Sequence, residues 1–251
     1  MVRQYANDRL MPDSGLWTPV ETVETSEANP ADLALALKTQ HLFHFNGTNG
    51  SNTFYDACEN GWTGYGNAQI STAQKRFGES SLLLDGNGDY VMLSVAPLNW
   101  YAEKFTWEAF VRLNALPLGN VWPGSWNSCM VVCGIGTSGA SDGFGLILTN
   151  TKIMAQRNDT VYADGTHGMS INTWYHVAVT RDGNTLRTFV DGVKKGESAF
   201  TGNTGSGNKF CIGCEATDGA WFNGYIDELR IIRGAALYTA DFTPPSAAFF
   251  T

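Results

Sequence analysis

The chain has 251 residues, a formal net charge of −8, 16% charged and 12% aromatic residues, and 28 glycines. That length suits one substantial core, and the acidic balance lacks the Lys and Arg that would replace counterions on nucleic acid or hold an anionic membrane surface, so both are excluded as partners. Low charge with abundant glycine and aromatics favours many short strands joined by tight turns over long solvated helices.

Residues 1–40 read differently from the rest. They carry six acidic and three basic residues, three prolines and no alternating apolar pattern, and are assigned as an arm that anchors a domain spanning 41–251. Asn29 offers a helix N-cap and Pro30 a first helical position, so a short helix ending near Lys38 is expected, with Leu33 and Leu37 on one face. Such a helix is too short to stand alone, and must dock either on its own domain or on a larger assembly. The longest apolar run here is Leu33–Leu37, so neither a cleaved signal nor membrane insertion is expected.

From His41 onward turn signals recur at short intervals. In Phe105–Arg112, Phe105, Trp107, Ala109 and Val111 point one way, while Thr106, Glu108, Phe110 and Arg112 point the other, as in a sandwich strand with one face in the core. Trp174–Thr180 and Thr185–Val190 flank Asp182-Gly183, and Asp191-Gly192 turns the chain again; both pairs supply the positive φ of tight hairpins. Beyond the arm, only Ala235–Ala240 shows a trace of helical period. Five cysteines (Cys58, Cys129, Cys133, Cys211, Cys214) leave one unpaired in any disulfide scheme and read as free thiols. Cys211 and Cys214 have zinc-knuckle spacing, but residues three apart on a strand face opposite sides, which disfavours one shared metal.

Residues 222–245 (FNGYIDELRIIRGAALYTADFTPP) resemble the closing strand and tail of laminin-G-like, concanavalin A-like jelly rolls. Four further segments follow in matching order: His41–Gly47 with Asp56, Arg76–Gly86, Phe105–Arg112, and Trp174–Gly183. The resemblance covers roughly residues 41–249, and the LYTADFTPP ending and FNGTNGS opening are most similar to copies carried on bacteriophage structural proteins. It implies an all-β, two-sheet antiparallel jelly-roll sandwich preceded by the arm with its short helix. It also implies a structural Ca²⁺ held by Asp56 and Asp227 with the backbone carbonyl of Asn46 or Gly47. Asn46 stands where many relatives have Asp, which weakens such a site; the alternative is that Asp56 accepts turn hydrogen bonds and Asp227 faces solvent.

The same architecture carries glycoside hydrolases, which need two carboxylates close together, commonly in an E-x-D-x-x-E run. No such run occurs: Glu108 stands alone on its strand, and Asp227 and Glu228 are expected to face opposite sides. No catalysis is expected. Carbohydrate binding combines an aromatic platform with a few amide or carboxylate partners. Three loops offer that mixture: 60–67 with Trp62 and Tyr65, 121–128 with Trp122 and Trp126, and 217–224 with Asp218 and Trp221. The expected function is a non-enzymatic virion protein, assembled in the host cytoplasm and exposed in many copies or as a homo-oligomer on the particle. Residues 1–40 would contact other virion proteins and the sandwich would bind host-surface glycans. Two alternatives remain: a decoration or connector protein packing on capsid or tail subunits without sugar, and a polysaccharide depolymerase.

Overall fold

The computed structural model describes residues 34–94, 102–119, 129–137, 140–205, 207–215 and 219–250. In chain order the strands are β1 (Thr39–Phe43), β2 (Thr53–Tyr55), β3 (Gly61–Tyr65), β4 (Gln69–Ser71), β5 (Ser81–Asp85), β6 (Tyr90–Ser94), β7 (Phe105–Leu113) and β8 (Cys129–Thr137). They continue as β9 (Ala140–Thr149), β10 (Lys152–Arg157), β11 (Thr160–Thr166), β12 (Trp174–Asp182), β13 (Thr185–Val190), β14 (Val193–Ala199), β15 (Lys209–Ile212) and β16 (Asn223–Arg233). One sheet runs β14-β13-β12-β7-β16-β5-β4, with β1 also paired to β16; the other runs β11-β10-β9-β8-β15-β6-β3-β2. Every pairing is antiparallel, and the two sheets pack as a jelly-roll sandwich, as expected.

The core lies between the sheets. Phe105, Trp107, Ala109, Val111 and Leu113 of β7 enter it, facing Phe144, Leu146, Phe210 and Ile212 of the second sheet. Period-2 alternation puts these residues on one face, and each large apolar side chain buried there contributes about 1.5–3 kcal/mol. Turn chemistry acts as expected at both hairpins. Gly183 (φ 60°) sits in the two-residue turn between Asp182 and Thr185, and Asp191 (φ 45°) with Gly192 (φ 74°) forms the next.

The opposite face of β7 is also buried, which alternation alone did not indicate: Thr106, Glu108 and Phe110 are at most 2% exposed. Residues 234–250 cover it. They form no helix, so the faint helical period of Ala235–Ala240 did not reflect one. Instead the tail satisfies the sheet's outward polar groups: Thr106 Oγ1 donates to the Ala235 carbonyl, Thr180 Oγ1 donates to the Tyr238 carbonyl, and the Leu237 amide donates to Thr106 Oγ1. Tyr238 stacks on Phe242 at 3.5 Å between ring centroids, and the Phe242 amide donates to the Gly192 carbonyl.

On the N-terminal side, residues 34–36 make a helical turn closed by the Lys38 amide on the Leu35 carbonyl. Leu37 is 80% exposed and does not dock on the sandwich. Asn29, Pro30 and Leu33 of the expected helix lie outside the described residues.

Candidate functional site

On the second sheet Trp62, Val91, Phe210 and Ile212 point into the core, so their neighbours Tyr65, Tyr90, Met92 and Cys211 point outward. Tyr65 of β3 and Tyr90 of β6 are directly opposed and stack with centroids 4.4 Å apart and ring planes 9° apart. Trp221, from the segment between β15 and β16, packs on the same cluster with Met92, Cys211 and Cys214. All three rings are half-buried, and the Trp221 indole Nε1 is buried without a hydrogen-bond partner among the described residues.

Two turns border this aromatic ledge. Asn67 and Asp85 are exposed there, with the Asn67 side chain 3.5 Å from the Asp85 carboxylate. Asp89 is buried and tethers both turns, accepting from the backbone amides of Asn67 and Asp85. Burial raises its pKa, and the neighbouring Asp85 adds to the shift. Gly66 (φ 64°) lets the first turn pass Asp89, because a Cβ there would lie 2.4 Å from the Asp89 carboxylate.

The structure therefore joins two of the expected sugar-loop residues, Tyr65 and Trp221, and adds Tyr90, which sequence reading missed. Tyr90 sits directly after the G-N-G-D turn at 86–89, and its pairing with Tyr65 depends on strand register that composition does not reveal. Trp62 is corrected: it is 5% exposed, its ring lies in the core against Phe43 and Phe210, and its Nε1 donates to Asp56. No ring face is left to carry a sugar. Trp122, Trp126 and Asp218 lie outside the described residues.

The expected calcium ligands fall into separate hydrogen-bond networks. Asp56 accepts from His41 Nδ1, from the amides of Cys58 and Asn60, from the Asn60 side chain and from Trp62. Burial would raise its pKa, but these hydrogen bonds outweigh that and hold it below the usual range. Asp227 Oδ2 accepts from the amides of Arg76 and Phe77, and Oδ1 from that of Glu228. Here burial dominates and pushes the carboxyl up to about 6. Asn46 Oδ1 accepts from the Glu79 amide, and the Gly47 carbonyl lies 3.4 Å from the Ser80 hydroxyl. A cation shared by Asp56 and Asp227 would have to displace the N–H groups that both carboxylates already accept in separate networks, so these two side chains do not fit a shared Ca²⁺ as arranged.

Two sequence expectations about facing are also corrected. A bulge in β16, where Glu228 has φ 48°, lets Asp227 and Glu228 contact the same side: the partners Phe77 and Phe249 belong to one cluster. Likewise Gly213 (φ 88°) turns the chain so that Cys211 and Cys214 share a cluster, while Cys133 lies in the main core. None of the five cysteines is in a disulfide, and only Cys58 is exposed.

Glu108 is no lone carboxylate. It accepts from Arg230 Nε and Nη2 at 2.9 and 2.6 Å, lies 3.0 Å from His176 Nε2, and accepts the Tyr238 hydroxyl at 2.7 Å. The whole group is sealed under the tail.

Residues 85–238, more than half of the chain, match the concanavalin A-like lectin/glucanases superfamily, and the chain belongs to it. The strands before residue 85 lie outside that match yet complete both sheets. Among solved structures, domain 4 of AbnA, a GH43 extracellular arabinanase from Geobacillus stearothermophilus in complex with arabinotriose, is similar with TM-score 0.58 and 18% identity. That likeness covers 79% of this chain and 94% of that one. The binding domain of botulinum neurotoxin serotype D aligns with TM-score 0.58 and 14% identity over 83% of this chain and 51% of that domain. A Trypanosoma rangeli sialidase mutant aligns with TM-score 0.54 and 16% identity over 81% of this chain and 32% of the sialidase. At these identities the likeness is one of fold. No curated protein matches the chain in sequence.

Proposed function

We propose that this is a non-enzymatic glycan-binding protein of a bacteriophage particle, anchored through residues 1–40 and displaying the sandwich outward. The observation that carries the glycan reading is the ledge of Tyr65, Tyr90 and Trp221, with Asn67 and Asp85 at its border. Sugars present apolar CH faces beside dense hydroxyls, and stacked rings flanked by amide and carboxylate groups suit both. The arabinanase domain of the same fold, solved with arabinotriose, supports the reading. The non-enzymatic part rests on the carboxylates: Glu108, Asp227 and Glu228 are buried in hydrogen bonds, and Asp89, beside Asp85, is committed to two backbone amides.

The anchoring part rests on the resemblance to phage structural proteins and on exposed apolar groups where the arm joins. Leu37 is 80% exposed, and Phe250, 50% exposed, lines a groove with Leu35, Arg230 and Phe249. That surface also suits the second reading, a decoration protein that packs on capsid or tail subunits. Display in many copies would turn weak single-site contacts into avidity.

The test compares the full-length chain with its Tyr65→Ala/Trp221→Ala variant for binding to host cells and to particles lacking the protein. We expect the parent to bind both and the variant to lose cells alone. Cell binding retained by the variant removes the ledge as the site, and particle binding without cell binding by the parent favours the decoration reading.

A further inference from the structure

The two sheets end on the same side of the sandwich, β2 at the margin of one and β4 at the margin of the other. Between these margins opens a pocket of about 220 Å³, lined by His44, Asn46, Thr53, Tyr55, Ala57 and Ile70 among others. Phe54 turns into the core, so its neighbours Thr53 and Tyr55 face outward, and Tyr55 is 68% exposed. Tyr55 pairs with Gly61, four residues along β3 from the Tyr65 that faces Tyr90, so it stands two strands across and four residues along from the Tyr90 ring, roughly 16 Å away.

The hydrogen-bonding groups around this pocket are unequally committed. Its carboxylate and carboxamide acceptors are spent: the Asp56 carboxylate receives His41, Asn60, Trp62 and the Cys58 amide, and Asn46 Oδ1 receives the Glu79 amide. Donors remain. Asn46 keeps its NH₂ group, and His44 commits Nδ1 to both Glu228 oxygens at 2.8 and 2.9 Å, which leaves Nε2 for the pocket. The hydrogen bond to Glu228 raises the His44 pKa, which favours the doubly protonated ring in which Nε2 is a donor. Ile70 and Ala57 supply an apolar wall, and Tyr55 a ring face. A ligand must therefore bring a strong neutral acceptor beside a small apolar group, because an anion would meet the ionised Asp56.

We infer that this pocket receives one N-acetylated sugar residue, whose acetamido carbonyl accepts from Asn46 and His44 while its methyl lies against Ile70 and Ala57. The inference rests on the reading that the domain binds glycans, and it places a second subsite roughly 16 Å from the aromatic ledge. It makes the acetamido group the feature by which the protein chooses among glycans.

The test records ¹H–¹⁵N spectra of the full-length chain titrated separately with N-acetylglucosamine, N-acetylgalactosamine, glucose, galactose and sodium glucuronate. The N-acetyl sugars should shift the Asn46 side-chain amide and the Thr53 and Tyr55 backbone amides, and bind about tenfold tighter than the parent hexoses, the worth of one or two added hydrogen bonds. Asn46→Asp retains an acceptor for the Glu79 amide but removes the donor, and Tyr55→Ala alters an exposed side chain; both should abolish the N-acetyl preference while Trp221→Ala leaves it. Equal affinity for hexoses and N-acetyl sugars, or a preference for glucuronate, overturns the assignment. Shifts confined to Tyr65, Tyr90 and Trp221 overturn it while leaving the ledge intact, and shifts nowhere with any sugar overturn both.

Discussion

Replacing Glu108 by alanine tests how the tail is held down. The parent carboxylate is 1% exposed, receives two guanidinium N–H groups of Arg230, lies 3.0 Å from His176 and holds the Tyr238 hydroxyl. Removing it leaves a buried guanidinium unpaired, which costs about 3–5 kcal/mol, partly relieved by the Phe249 ring 4.0 Å from Arg230. The Tyr238 hydroxyl also loses its acceptor. We expect a loss of about 4 kcal/mol in urea unfolding at pH 7, with Glu108→Gln milder because the amide oxygen can still face Arg230. A second reading comes from acid. Burial would raise the Glu108 pKa, but the Arg230 charge and His176 hydrogen bond outweigh it and leave the carboxyl at about 2, below its ordinary 4.5. A depressed carboxylate contributes stability that is complete above its unfolded pKa and is lost as pH falls through the folded one. The parent should therefore lose about 3 kcal/mol between pH 4.5 and 2 that Glu108→Ala never had. A cost below about 1 kcal/mol at pH 7, or equal acid sensitivity in the two proteins, would refute the assignment of Glu108 as the tail's anchor.

Other outcomes can be checked with modest effort. Gly192→Ala puts a Cβ 1.8 Å from the Phe242 carbonyl oxygen at φ 74°; it should destabilise by roughly 2 kcal/mol or more and open residues 234–250 to limited proteolysis, whereas unchanged protection would separate the tail from this hairpin. Asp227 is shifted the other way, up to about 6, so its ionisation opposes folding as pH rises from 3.8 to 6. The stability of Asp227→Asn relative to the parent should accordingly improve by about 3 kcal/mol across that window, and a flat difference would count against the shift. Because the Asp56 and Asp227 carboxylates already accept several N–H donors each, neither added Ca²⁺ nor EDTA should move Tm, and a rise of several degrees with Ca²⁺ would contradict the fit described above. Of five thiols, only Cys58 is exposed, while burial pushes Cys129 up to about 12 and Cys133 well above the usual thiol range. A thiol reagent should titrate one cysteine in the native state and five after unfolding.

Much of the sandwich was legible because alternation, Asp-Gly turns and the closing-strand motif act locally. The two faces of β7 followed from period 2, and both hairpins from positive-φ residues. What was not legible depended on long-range closure. Glu108 and Arg230 are 122 residues apart, and nothing in either neighbourhood announces the pair. The bulge at Glu228 and the turn at Gly213 each reversed an expectation about facing, because one left-handed residue resets the alternation downstream. The ledge was half legible: Tyr65 and Trp221 stood out as loop aromatics, but Trp62 looked alike in composition and lies in the core, since only strand register separates the two.

The closing strand β16 shares one of its edges between two partners: β5 pairs with Asn223–Ile226, and β1 with Leu229–Ile232. During synthesis β1 therefore waits through almost the whole domain before β16, its partner strand among the described residues, exists, a late closure that slows folding. A chain released early keeps β1 unpaired. If residues 1–40 anchor the protein as proposed, attachment would be conditional on translation having reached the end of the sandwich.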